Sequence, residues 1–202
     1  MSAALLDLLP PGACDAALEW VASLPEATTP AEAWAQAPRG EWMIWLLRRT
    51  PAGQSDEALR KFRFIALECA ESVVNLHDRR APEPLAPDLA ALRAWVERGE
   101  GDLAQIQSRI WAKRRAADAA DAADAAYAYA AAAATDAAAA ADADADADAA
   151  AYAAAYAAAY AADADAADAD ADARSKARAA MRARTAEIVR RHFPVCPIGG
   201  AA

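Results

Sequence analysis

Glycine and proline are both missing from residues 102–193, the longest part of the chain without either residue. These two residues are the usual helix terminators, so nothing of that kind ends a helix within the stretch. Alanine dominates it, and alanine has the highest helix propensity. Elsewhere, no segment shows the period-two alternation of a half-buried strand. The sequence therefore predicts an all-α fold.

Tryptophan is missing beyond residue 111, although the chain has six. Large side chains contribute most of the free energy of apolar burial, and alanine contributes little. We therefore expect a conventional core only in residues 1–115, which would form a Trp-rich N-terminal helical bundle. Residues 116–193 are predicted to form an Ala/Asp/Tyr-rich helical array folded as a long hairpin. Residues 194–202 would be a flexible C-terminal tail.

Length favours a reversal within the array, because one helix over residues 102–193 would extend about 135 Å. The sequence favours a break at Thr135-Asp136, where a pair of residues typical of helix N-caps follows a run of alanines. The Asp-rich run at 142–148 is the second choice. Cations are expected at the end of the array, where they complement the helix dipole, and this basic end should return toward the body.

The chain lacks a long apolar run and a paired set of cysteines. Its longest uncharged stretch is residues 149–162, shorter than the ~18 residues of a membrane span. No cationic segment follows Met1, and Asp7 interrupts the first apolar run, so we expect no signal peptide. The three cysteines are far apart in sequence, which favours a reducing compartment and a cytoplasmic location. Cys14 and Cys69 lie on apolar helix faces, so we expect both thiols to be buried.

Histidine is scarce, and no motif of a nucleophile, a phosphate-binding loop or a zinc site surrounds His77 or His192. We expect no enzyme activity and no cofactor. Four aspartates, at positions 142, 144, 146 and 148, are spaced like the first ligands of a calcium loop. However, Ala147 stands where that loop needs glycine and Ala153 where it needs glutamate, so no metal site is predicted.

Charge is divided sharply along the chain, whose net charge is −9. Residues 116–173 contain 13 Asp and no other charged residue, whereas residues 174–202 contain seven Lys or Arg and only Glu187 as an acid. The basic end resembles a nucleic-acid-binding helix, but the acidic block beside it would repel phosphates. We therefore expect no nucleic-acid or membrane partner, and a basic protein as the partner instead.

Tyr152, Tyr156 and Tyr160 are four residues apart and would form a stripe on one helix face. Their rings could cover neighbouring helices, or they could form a face that binds a protein, since tyrosine is enriched in interfaces. The candidate partner-binding residues are these tyrosines and the aspartates on either side of them: Asp142, Asp144, Asp146, Asp148, Tyr152, Tyr156, Tyr160, Asp163 and Asp165.

Helix boundaries are clear only in the N-terminal half. Thr29-Pro30 is typical of a helix start, Gly99 of a helix end, and Asp102 of the next N-cap. Within residues 40–49, the stretch from Trp42 to Leu47 is apolar nearly all round, which indicates a central position in the bundle. Residues 62–76 show the spacing of an amphipathic helix.

Four segments carry a family resemblance: AEAWAQAPRGEWMIWLLRR at 31–49, FIALECAES at 64–72, AWVERGEGDL at 94–103 and the array that follows. Together they resemble the alanine-rich immunity proteins of bacterial toxin systems, which also occur in phage genomes. The most specific part is Arg39-Gly40-Glu41-Trp42, although family members usually carry Asp where Glu41 stands. The resemblance implies a non-enzymatic helical protein that neutralises a cognate toxin by direct binding.

Two other functions are compatible with the same residues. The Asp array could imitate the phosphates of nucleic acid, so that the protein would be an acidic decoy occupying a DNA-binding protein. Alternatively, the array could be a structural spacer without a specific partner.

Overall fold

The computed structural model describes residues 3–78, 83–119, 125–141, 147–165 and 171–199. All regular elements in these ranges are helical, which confirms the all-α prediction. The α-helices are α1 Ala3–Leu8, α2 Asp15–Ser23, α3 Pro30–Gln36, α4 Gly40–Arg48, α5 Asp56–Glu71, α6 Val74–Asp78, α7 Ala86–Arg98, α8 Leu103–Ala119, α9 Ala125–Ala141, α10 Ala147–Asp165 and α11 Ala171–His192. None of them is long and apolar enough to cross a membrane.

Three predicted helix boundaries of the N-terminal half are confirmed by capping interactions, whereas residues 62–76 are divided between α5 and α6. Thr29 and Glu32 form a reciprocal capping box at the start of α3, with Pro30 in the first turn. Gly99 ends α7 in the left-handed conformation, at a φ of 71°. A carboxylate oxygen of Asp102 accepts a hydrogen bond of 3.1 Å from the Gln105 backbone N–H at the start of α8.

The predicted break at Thr135-Asp136 is wrong, because α9 continues through both residues. The Thr135 hydroxyl donates a 2.9 Å hydrogen bond to the Ala131 carbonyl one turn earlier, and therefore does not cap a new helix. The connection from α9 to α10 lies between Ala141 and Ala147, within the second predicted region. Residues 142–146 themselves are outside the described ranges.

Helices α8 to α11 run alternately up and down, as contacts between successive helices show. Gln107 of α8 donates a 3.0 Å hydrogen bond to the Ala138 carbonyl of α9. The rings of Tyr129 in α9 and Tyr160 in α10 are 5.6 Å apart, and the Arg178 guanidinium of α11 lies 4.9 Å from the Tyr160 ring. The array is therefore a central α9–α10 hairpin with α8 and α11 beside it.

The core is not confined to residues 1–115, so that expectation is wrong. Phe62, Ile65 and Cys69 of α5 belong to the same buried cluster as most described alanines of α9 and α10. Alanine has little area to bury, but it lets helix axes approach closely, so that backbone and Cβ atoms form the contact. The predicted boundary at residue 116 falls inside α8, and both parts share one core.

The two cysteines expected in the core behave differently. Cys69 is fully buried at the centre of α5, whereas Cys14 is exposed just before α2. The Cys14 prediction is wrong because α2 turns mainly Val21 toward its neighbours, and this helix forms only a small cluster with Leu5 and Leu24.

The basic end of the array returns to the N-terminal half, as predicted. Arg190 of α11 donates a 2.9 Å hydrogen bond to the Ala37 carbonyl. The Trp34 indole donates another, also 2.9 Å, to the Phe193 carbonyl. Beyond α11, Cys196 and Ile198 pack against the core. The structure thus places residues 194–199 on the body, where the sequence suggests a free tail.

Candidate binding surface

Three tyrosines from two helices form one aromatic cluster. Tyr156 and Tyr160 lie one turn apart on α10, with ring centroids 4.6 Å apart and a 2.9 Å hydrogen bond between their hydroxyls. Tyr129 of α9 lies against Tyr160 because the hairpin brings that turn of α9 alongside. Tyr129 is 39 % exposed and Tyr156 is 41 % exposed, so both rings face outward.

A cation completes the cluster, because the Arg178 guanidinium of α11 lies over the Tyr160 ring. We call Tyr129, Tyr156, Tyr160 and Arg178 the tyrosine surface. The pKa of the Tyr156 hydroxyl is raised, mainly by its hydrogen bond to Tyr160 and then by desolvation. The hydroxyl therefore stays neutral at physiological pH. Its proton is donated to the Tyr160 hydroxyl, and its oxygen can accept a hydrogen bond at the surface.

Tyr152 differs in its surroundings from the other two tyrosines of the predicted stripe. It is partly buried and packs against the core, so that it covers neighbouring helices as one of the two interpretations expects. The stripe is thus divided along α10 between a core-covering ring and two rings of the tyrosine surface. This follows from the 400° that four residues span on a helix, which turns the stripe slowly round the axis.

The predicted aspartates of α10 are spread along that helix, and the part of all six predicted aspartates in a surface with these tyrosines stays a prediction. Asp148 and Asp165 lie near opposite ends of α10, whose 19 residues extend about 27 Å. The side chains of Asp148, Asp163 and Asp165 are outside the described part of the structure, as are residues Asp142, Asp144 and Asp146 entirely.

A buried carboxylate lies under the N-terminal end of α4, in the Arg-Gly-Glu-Trp segment. Glu41 is 1 % exposed, and its Oε1 accepts hydrogen bonds from Arg39 at distances of 2.7 and 2.8 Å. The Arg182 Nε of α11 lies 3.3 Å from the same oxygen. This ion cluster joins α4 to α11, and sequence reasoning could not find it because Arg182 is 141 positions away from Glu41 in the chain.

Gly40 permits the same helix contact. A Cβ added at Gly40 would lie 2.6 Å from the carbonyl carbon of Thr185, which is far closer than two non-bonded carbons approach. The Arg-Gly-Glu-Trp segment therefore has a structural role in the described residues, because Gly40 and Glu41 together hold α11 against α4.

A second ion cluster lies between α5 and the end of α11. Glu68 pairs with Arg191, and the His192 ring nitrogen lies 3.0 Å from its Oε1. Burial raises the pKa of Glu68, but the hydrogen bonds and charges of His192 and Arg191 outweigh burial and leave it lowered. The Glu68 carboxylate therefore pairs with the end of α11 and helps to hold that helix against α5.

The thiols of Cys69 and Cys196 are not activated as nucleophiles. Burial raises the pKa of the Cys69 thiol strongly and that of Cys196 more modestly, so neither has the character of a nucleophilic thiolate. Within the described ranges, no three His, Cys, Asp or Glu residues converge as metal ligands do. The tyrosine surface is thus the feature best suited to molecular recognition.

Comparisons with known proteins give no assignment for this chain. No protein-family model matches the sequence. No curated protein matches it significantly. No solved structure does so either.

Proposed function

We propose that this protein is a non-enzymatic binding protein that neutralises a toxic protein by direct contact, and that the tyrosine surface forms the centre of the interface. The observation that carries the proposal is the grouping of Tyr129, Tyr156 and Tyr160 from two helices, with two of the rings about 40 % exposed. Rigid tyrosines on helices bind with little loss of side-chain entropy, and tyrosine is enriched among residues that dominate binding energies.

The partner is inferred to present Arg or Lys side chains. The tyrosine surface already holds one guanidinium, that of Arg178, over Tyr160. The outward-facing rings of Tyr129 and Tyr156 offer the same kind of contact to a cation of the partner. The 13 aspartates of residues 116–173 would attract a basic protein and speed its association.

The immunity role is supported by the resemblance of residues 31–49, 64–72 and 94–103 to alanine-rich immunity proteins. Members of such a family act by occupying a toxin, which requires a stable scaffold and an exposed recognition surface but no chemistry of their own. The enclosed core and the tyrosine surface are compatible with that role.

The test is affinity capture from the native lysate, at low and moderate salt, with bound proteins identified by mass spectrometry. The double variant Tyr129→Ala/Tyr156→Ala should lose the partner, on the order of tenfold or more in affinity. Trp111→Ala is the matched control, because Trp111 is an equally exposed aromatic, at 46 %, outside the tyrosine surface. Circular dichroism should show the same helix content in all three proteins.

A stoichiometric partner that binds the wild type and Trp111→Ala, but not the double variant, would support the proposal. Retention of DNA-binding proteins only at low salt, unaffected by the tyrosine substitutions, would instead favour the acidic decoy. Absence of any partner at both salt concentrations would leave a structural spacer as the better description.

A further inference from the structure

A groove with apolar walls opens to the surface among the N-terminal helices, and its volume is about 80 Å³. Helices α1 to α4 and residues 196–198 form the walls, which include four of the six tryptophans: Trp20, Trp34, Trp42 and Trp45. Among the described residues, no charged side chain lines the groove. Contact of such walls with water costs free energy, and an open apolar groove is typical of a ligand-binding site.

Exposed apolar side chains lie close in the chain to this groove. Three of them are next in sequence to residues of its walls: Leu8, Leu18 and Val195. A single exposed apolar residue is ordinary, but several beside an open groove indicate contact with an apolar molecule. The ligand is therefore expected to be largely hydrocarbon.

Arg49 supplies a positive charge beside the groove. Its guanidinium lies 4.4 Å from the ring centroid of Trp45, a residue of the walls, and its side chain is exposed. Within the described part of the chain, Arg49 pairs with no carboxylate, and its one hydrogen bond is a long contact of 3.4 Å to the Trp45 carbonyl. Arg39, which lies over Trp42, is instead paired with Glu41. Arg49 therefore keeps hydrogen-bond donors for an anion.

We propose that the groove binds the hydrocarbon chain of a free fatty acid of medium length, with the carboxylate beside the Arg49 guanidinium. An alkyl chain needs no hydrogen-bond partner, so apolar walls suit it. Since a water needs about 10–15 Å³ of such space and a methylene group is of similar size, the groove holds roughly six methylene groups. A chain of about eight carbons would fill it and leave the carboxylate outside, where Arg49 can pair with it.

The size of the groove suits one short chain, so its ligand is a free molecule and not a two-chain lipid of a bilayer. The site is independent of the proposed binding of a toxic protein, because it uses α1 to α4 rather than α9 to α11. The variant Tyr129→Ala/Tyr156→Ala should bind the fatty acid as the wild type does. The two proposals can therefore fail separately.

The experiment is a titration of the ¹⁵N-labelled full chain with octanoate, below the concentration at which it forms micelles, followed through the indole N–H signals. The wall tryptophans should shift saturably, and Trp111 of α8 should not. Hexanoate should bind on the order of tenfold more weakly, because each methylene group removed from water contributes about fourfold. n-Octanol has the same chain without the charge, and should bind about two- to fivefold more weakly than octanoate.

Two pairs of variants separate the charge from the chain. Arg49→Gln should weaken octanoate about two- to fivefold without affecting n-octanol, and Arg60→Gln, at an exposed position of α5, should change neither. Ala17→Phe places a ring in the groove wall and should weaken both probes on the order of tenfold. Ala16→Phe is its control, because Ala16 is exposed on α2 outside the walls. Circular dichroism checks that all four variants keep their helix content.

Absence of saturable shifts in the folded wild type would overturn the inference, as would binding that Ala17→Phe leaves unchanged. Equal binding of octanoate and n-octanol, or equal effects of Arg49→Gln and Arg60→Gln, would remove Arg49 as the group that recognises the carboxylate. Sedimentation without a probe tests another occupant. A dimer that Ala17→Phe breaks and Ala16→Phe does not would show that a second copy of the chain fills the groove instead.

Discussion

Asp136 carries a carboxyl group into a partly buried position in the middle of α9. Burial raises its pKa to about 6, although the positive charge of Arg114 opposes the shift. The folded protein therefore binds this proton more tightly than the unfolded chain does, and stability gained from it increases as the pH falls from about 6 toward the ordinary value. At neutral pH, the buried charge is a cost to the fold.

Asp136→Asn should consequently raise the free energy of unfolding at pH 7, by about 1–3 kcal/mol, because it removes the buried charge. The difference from wild type should shrink as the pH falls through 6 and vanish below about pH 4, where the wild-type carboxyl is neutral in both states. Urea unfolding of both proteins across this pH range measures it. A variant that is less stable than wild type at pH 7 would show that Asp136 is held by favourable pairing instead.

Gly40 is the residue whose smallness the α4–α11 contact requires most directly. Gly→Ala in a helix ordinarily stabilises a protein by up to about 1 kcal/mol. At Gly40 we expect the opposite sign, a loss of about 1–3 kcal/mol, because the added Cβ would meet the Thr185 backbone at 2.6 Å. Thermal or urea unfolding gives the answer. An increase in stability would mean that α11 is not seated on α4 as described.

At the scale of the helices, a boundary can be predicted from sequence when the interaction that fixes it is between residues close together in the chain. Thr29, Gly99 and Asp102 cap helices through contacts within a few residues, so their patterns were sufficient. The connection between α9 and α10 has only a weak signal, its run of aspartates, because alanine and aspartate do not end a helix as glycine and proline do. Helix packing decides where that connection lies. Thr135 has the sequence pattern of an N-cap, but its hydroxyl donates back to the Ala131 carbonyl.

The same misplaced turn explains why part of the tyrosine surface was missed. The contact between Tyr156 and Tyr160 can be predicted from helical spacing alone. Tyr129 and Tyr160 lie at nearly equal distances along the chain from residues 142–146, so a turn placed there would have paired them. A turn at Thr135-Asp136 separates them. The Glu41 cluster depends on a contact between distant segments and gives no comparable sequence signal.

Close helix packing through alanine should make α10 intolerant of larger side chains on its buried face. Ala158 is fully buried, so Ala158→Leu should cost about 1–3 kcal/mol or more by overpacking against α10's neighbours. Ala180→Leu is the matched control, since Ala180 is exposed on α11 and the change should stay within about 0.5 kcal/mol. Chemical denaturation compares them. Similar stabilities for the two variants would contradict the packing described for the hairpin.

At the scale of the whole molecule, the alanine-rich helices are interior elements and not an appendage. The buried side chains of α5 share one cluster with α9 and α10, and α11 is tied to α4 and α5 by the Glu41 and Glu68 ion pairs. Side-chain size alone divides the sequence into two parts, because alanine has little area to bury. The structure joins these parts because a close helix pair buries many small residues.

A chain truncated after residue 119 should therefore not fold as an independent bundle. Without α9 and α10, the apolar faces of α5 would be exposed to water. We expect reduced helix content, poorly dispersed methyl signals in the NMR spectrum and no cooperative thermal transition. The full chain, carried through the same preparation, is the control. A truncated protein that unfolds cooperatively would show that residues 1–119 possess a sufficient core of their own.

The most direct test of the central claim, that the tyrosine surface neutralises a toxic protein, is growth of a bacterial host that expresses the captured partner. Growth should stop when the partner is expressed alone and should recover when the wild-type chain or Trp111→Ala is expressed with it. Tyr129→Ala/Tyr156→Ala should fail to restore growth, despite equal abundance and unchanged helix content. A harmless partner, or rescue by the double variant equal to that of wild type, would contradict the claim.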